Sequence, residues 1–144
     1  AILWGGLIAG VLDILAAFVT NAPRGVTPMR LLHAVASGVL GRDASTGGIT
    51  TAILGLALHF VIAFGAAAVY YAVSRKLTIL VRQPIICGLL FGIAVYWFMN
   101  LIVLPLSAFP YKISYQLSAV ATGLMVHMLC VGLPIALAVR RYTK

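Results

Sequence analysis

Charge is what this sequence has least of. Of its 144 residues only 8% are charged, the acids are two, Asp13 and Asp43, and glutamate is absent. A soluble globular domain needs about a quarter of its residues charged to cover its water-facing surface, so a water-soluble fold is excluded. The shortage of acids also leaves no pair of carboxylates for acid/base work in one buried site. No Gly-rich phosphate loop, His-Glu-x-x-His or Gly-x-Ser-x-Gly segment is present, and soluble-type enzyme chemistry has no anchor. A lipid-modifying site on the loops would have only His33, Arg24, Arg30 and Arg42 to draw on. Cysteine is scarce too. Cys87 and Cys130 fall in apolar runs at different depths, and we expect two buried thiols rather than a disulfide.

What is present is apolar material, 63% of the chain. It falls into runs over about 2–21, 49–74, 85–104 and 116–139. Each is close to the ~20 residues with which an α-helix crosses ~30 Å of hydrocarbon. The expectation is one all-α integral membrane domain over 1–144 with four transmembrane helices. The first run has no basic residues before it and no cleavage site leading to a soluble domain, so it does not read as a signal peptide. The chain begins at Ala1, and residues upstream of it are expected.

One stretch is apolar at helical spacing but too short to span. Thr27-Pro28 reads as an N-cap with proline at the first helical position. Leu32, Val35, Ala36, Val39 and Leu40 then recur on one face, with Arg30, His33 and Ser37 elsewhere. We expect an amphipathic helix over about 28–40, lying in the interface plane with His33 turned to water or lipid.

The net charge of +8 does not point to nucleic acid. Arg24, Arg30, Arg42, Arg75, Lys76, Arg82, Arg140 and Arg141 flank the apolar runs, where such residues set topology and contact anionic lipid head groups. Arg75, Lys76, Arg82, Arg140, Arg141 and Lys144 lie on one side, against Arg24, Arg30, Arg42 and Lys112 on the other. By the positive-inside rule both termini face the cytoplasm.

A Gly-Leu-x-x-His motif occurs twice, at Gly55–His59 and Gly123–His127. Spans one and three carry the related Gly6-Leu7-Ile8-Ala9-Gly10 and Gly88-Leu89-Leu90-Phe91-Gly92. The chain therefore reads as two pseudo-repeated helical hairpins, with the short helix inserted in the first copy. Spans two and four then run parallel, with His59 and His127 near mid-depth. Gly6, Gly10, Gly55, Gly88, Gly92 and Gly123 mark close helix packing. Asp13, His59 and His127 share those stripes, and with Asn100 they form a candidate buried polar cluster. Pro134 frees the carbonyl of Cys130 beside His127.

The cluster admits several readings. It is a structural hydrogen-bond network, or a proton or small-solute pathway of Asp and His at the midplane, or His59 and His127 supply the axial imidazoles of a b-type haem. Zinc has only His59, His127 and Asp13 to bind. No cofactor or metal is expected as the leading reading.

Tyr70-Tyr71-Ala72-Val73-Ser74-Arg75, Met99 to Ser107, Leu31 to Gly41 and the Gly-Leu-x-x-His of span two resemble an uncharacterised family of small bacterial four-span inner-membrane proteins. The resemblance covers most of the chain. It implies a bacterial inner membrane and a four-helix fold, and it supplies no activity. The leading expectation is an accessory, scaffolding or assembly subunit of a larger membrane complex or a homodimer. Its glycine stripes and short outer helix would meet partners and lipid.

Overall fold

A computed structural model describes residues 1–113 and 115–143; Lys144, counted above among the basic residues, lies outside them. Every regular element among the described residues is helical. Helix α1 (Ile2–Asn21) is followed by α2 (Pro28–Leu40), α3 (Gly48–Ser74) and the single turn α4 (Ile79–Arg82). Helices α5 (Pro84–Leu106) and α6 (Leu117–Thr143) complete the chain. Four of these, α1, α3, α5 and α6, are long and apolar enough to cross a membrane.

The short helix forms where its capping residues place it. The Thr27 hydroxyl accepts the Arg30 N–H at 3.2 Å, and proline takes the first helical position. Gly41, at a φ of 66°, ends the helix, in the left-handed region that glycine adopts without steric cost. At the other extreme α6 runs through Arg140 and Arg141 to Thr143, four residues past the expected end. Basic side chains suit the negative end of the helix dipole there.

Antiparallel pairs assemble the bundle. Gly6 and Gly10 of α1 receive the rings of Phe64 and Phe60 of α3. Gly88 and Gly92 of α5 lie on the backbone of α6, where a Cβ at Gly92 would come within 2.6 Å of Met128 Cα. Helix α1 also packs on α6, with Gly5 facing Ile135 and Ala138. The core on the side of the N-terminus combines Ala9, Ala67, Tyr70, Val131, Ile135 and Val139. Tyr70 donates its hydroxyl to Leu80 O at 2.9 Å, which ties α4 to the bundle.

Helix α2 is folded against α3. Its Leu32 backbone occupies the space where a side chain at Gly55 would stand, so Gly55 serves this contact and not one between spans. His33, Ala36 and Ser37 are buried. The expectation that His33 faces water or lipid is corrected: its Nε2 donates to Gly48 O at 2.7 Å. A far-end hydrogen bond from Ala108 N to Gly38 O, 2.9 Å, fastens α2 to the loop after α5.

Both spans that contain a proline late in their course carry a π-turn just before it. Met99–Val103 precedes Pro105, and His127–Gly132 precedes Pro134. The proline ring clashes with the carbonyl four residues back, and the wider turn makes room for it.

Candidate functional site

Asp13, His59 and His127 come from α1, α3 and α6 and line one cavity of about 390 Å³. At ~1.5 Å per residue, each histidine stands roughly 15 Å along its helix, and the antiparallel pairing sets Asp13 at the same level. The other walls are mostly apolar. Leu31, Val35 and Gly38 of α2 form the roof, and Ala63, Val95 and Val131 are among the side walls. A smaller opening between α1, α2 and α6 is lined by the same three ionisable residues together with Thr20 and Thr122. In the other direction the Ala67, Tyr70, Val131 and Ile135 core closes the site off.

The two histidines are held in different ways. His59 Nε2 donates to Gly10 O at 2.9 Å, across to α1. The same nitrogen lies 3.8 Å from Asp13 Oδ2, an ion pair when the ring is protonated. His127 Nδ1 donates to Gly123 O of its own helix at 2.8 Å. A carbonyl can only accept, so that bond assigns the proton to Nδ1 and leaves Nε2 of the neutral ring as an acceptor. The π-turn starts at His127. Gly92 lets α5 approach so closely that a Cβ there would strike His127 O.

Asn100 does not line this cavity. Its amide donates to Tyr96 O at 2.9 Å on its own helix, and its backbone carbonyl accepts the Tyr115 hydroxyl at 3.4 Å. By the α5–α6 pairing it sits about two turns from the level of His127. Its neighbour Tyr96, which the sequence reading passed over, is the residue that meets the site. The Tyr96 ring lies edge-on to His127 at 5.4 Å and fills the notch at Gly123. The signal was present, because Gly88, Gly92 and Tyr96 recur at four-residue spacing on one helix face.

A bis-histidine haem does not fit this arrangement. The Nε2 of His59, the nitrogen that commonly faces iron, is committed to Gly10 O. Among the described residues no three of His, Cys, Asp and Glu stand close enough to hold a metal ion, so Asp13, His59 and His127 share a cavity without converging on one point as zinc ligands would. Cys87 and Cys130 are both free thiols.

The glycines are used inside the chain. Gly6 and Gly10 receive phenylalanine rings, Gly55 receives α2, Gly88 and Gly92 receive α6, and Gly123 receives Tyr96. The flanking cations Arg24, Arg30, Arg42, Arg75, Lys76, Arg82, Arg140 and Arg141 are all exposed at the two ends. No family model, curated protein or solved structure matches the chain.

Proposed function

We propose that this chain is a small-solute site of a bacterial inner membrane, whose working part is the Asp13–His59–His127 cavity and whose occupant exchanges protons with that lining. The observation that carries this reading is the gathering of three ionisable side chains at one level around one mostly apolar space. Ionisable side chains at bilayer depth are costly, and they persist where a pathway or a ligand uses them. The cavity is within the range of small-molecule sites, ~300–1,000 Å³ with few polar groups. The accessory-subunit reading is weaker than the sequence suggested, because the glycine faces that would meet a partner are occupied by the chain's own helices.

Orientation belongs to the same proposal. With Arg75, Lys76, Arg82, Arg140 and Arg141 in the cytoplasm, α2 and the smaller opening lie on the outer side, and the apolar core separates the site from the cytoplasm. Passage through the protein then requires a second conformation. We also read the Gly-Leu-x-x-His segments as copies of one hairpin. Helices α3 and α6 have equal length, 27 residues each, which favours that history, although the copies have diverged in what each histidine binds.

The test is proton flux into proteoliposomes holding a pH-sensitive dye under an imposed gradient. Wild-type protein is expected to exceed both Asp13→Asn and His127→Phe by about ten-fold, the effect of ~1.4 kcal/mol on a barrier. Equal rates in wild type, both variants and protein-free vesicles would refute the reading.

A further inference from the structure

Helices α3 and α5 leave an apolar groove between them. Its volume is about 550 Å³, and Gly65, Val69, Ala94 and Phe98 line it without a charged or hydroxyl-bearing side chain. The groove shares Ile62, Ala66, Val95, Met99 and Val103 with the central cavity. At one end Tyr70 and Phe91 close the gap, their rings 5.0 Å apart. An apolar groove thus runs along the outside of the bundle to the wall of the ionisable site.

The polar groups at its inner end have one property in common. His59 Nε2 gives its proton to Gly10 O, and His127 Nδ1 gives its proton to Gly123 O. The hydroxyl of Ser107, on the cavity wall, donates to Leu104 O at 2.8 Å. At the smaller opening Thr20 donates to Ala17 O and Thr122 to Ser118 O. Every hydroxyl on these walls is spent on a backbone carbonyl. The acceptors left on these walls are the Asp13 carboxyl oxygens and the ring nitrogens that carry no proton when each imidazole is neutral, Nδ1 of His59 and Nε2 of His127. A site built of acceptors rejects a molecule that has no donor to give it, because its own polar groups then stay unpaired.

Resting on the small-solute reading above, we propose that the occupant is an uncharged lipophile bearing a hydroxyl head group, of the phenol, hydroquinone or long-chain alcohol class. It reaches the site sideways from the lipid, with its apolar body in the α3–α5 groove and its O–H donated to Asp13 or His127. The groove has no group to stabilise a permanent charge in transit, which favours a neutral head.

The probes are 4-nonylphenol and its methyl ether, which have the same apolar body and differ in the O–H. Equilibrium binding to the full chain in lipid nanodiscs is measured above that of empty nanodiscs. The phenol is expected to bind at least ten-fold tighter than the ether. His127→Phe and Asp13→Asn are each expected to erase most of that difference while ether binding stays within two-fold, which also shows that the cavity is intact. Gly65→Leu is expected to weaken both probes alike by filling the groove. A Cβ at Gly65 meets nothing within 4 Å, so the new side chain starts into open space. Equal binding of phenol and ether, or no binding of either, overturns the proposal. Tighter binding of nonylamine than of the phenol, lost in Asp13→Asn, assigns the site to a cation and also overturns it. Proton flux is scored separately. Flux without phenol binding leaves the functional reading standing and removes the ligand class, and phenol binding without flux does the reverse.

Discussion

At Gly92 two effects of adding a methyl group oppose each other. Alanine is the better helix former by ~1 kcal/mol in a helix interior. Here the new Cβ would press on His127 O and on Met128 Cα, which is backbone and cannot swing aside. Overpacking costs ~1–3 kcal/mol when the surroundings can adjust, so sterics win. Gly92→Ala is expected to destabilise the protein and to displace His127. Gly65 is the control. Nothing lies within 4 Å of its Cβ position, so Gly65→Ala is expected to stabilise by up to ~1 kcal/mol from propensity alone. Unfolding titrations in mixed detergent micelles compare the two, and a shift of the same sign in both variants would sink the argument. Gly6 and Gly10 fall between these cases, since their neighbours are the phenylalanine rings of α3, which can turn at some cost. Residue chemistry alone marked Gly6, Gly10 and Gly92 as packing positions. It did not say that Gly92 faces backbone, that Gly6 and Gly10 face rings, or that Gly65 faces open space.

At the scale of elements, α2 shows what packing adds to pattern. Its limits were legible from Thr27-Pro28 at the start and Gly41 at the end. Its seat was not, because a stripe of apolar residues fits a lipid interface and a neighbouring helix equally well. The deciding groups are Gly55, which admits the Leu32 backbone, and His33, which reaches the Gly48 carbonyl. His33→Ala is expected to cost about 1 kcal/mol for one buried hydrogen bond and to loosen α2 from the start of α3. Limited trypsin digestion at Arg24 and Arg42, on either side of α2, should quicken in the variant relative to cleavage at Arg75. Unchanged relative rates would mean that the Ala108–Gly38 bond and the Gly55 contact hold α2 without His33. The π-turns belong to this scale as well. Pro134 foretold a freed carbonyl in its helix. The π-turn that begins at His127 has α5 and α1 packed against it, neighbours that the proline alone does not name.

For the whole molecule the distribution of cations makes a topological prediction. Single cysteines placed at Ser45 and at Thr78, in a background lacking Cys87 and Cys130, mark the two ends of the bundle. Cysteine at position 45 is expected to react with a membrane-impermeant maleimide in intact spheroplasts, and cysteine at 78 only after lysis. The reverse pattern would put α2 and the smaller opening in the cytoplasm. A second whole-molecule expectation concerns colour. With His59 Nε2 held by Gly10 O, purified protein should show no b-type Soret band. A band lost in both His59→Ala and His127→Ala would show that the two rings reorganise around a haem.

The sequence by itself determined the helical class and the four long apolar helices. Scarce charge leaves too little polar surface to face water, and each apolar run is long enough for a helix that could cross a membrane, the open structure that satisfies its own backbone in hydrocarbon. It also placed Asp13, His59 and His127 on inward stripes, since ionisable groups avoid hydrocarbon. Only the tertiary structure decided who meets whom. In a membrane every face of a helix is apolar, so periodicity marks a face without naming its neighbour. For that reason Asn100 fell outside the site and Tyr96 came to rest against His127. For the same reason α2 became a roof, and α3 and α5 were left with a groove between them. These outcomes depend on which backbones can approach within a Cβ's width, a property of pairs of helices that no single helix carries.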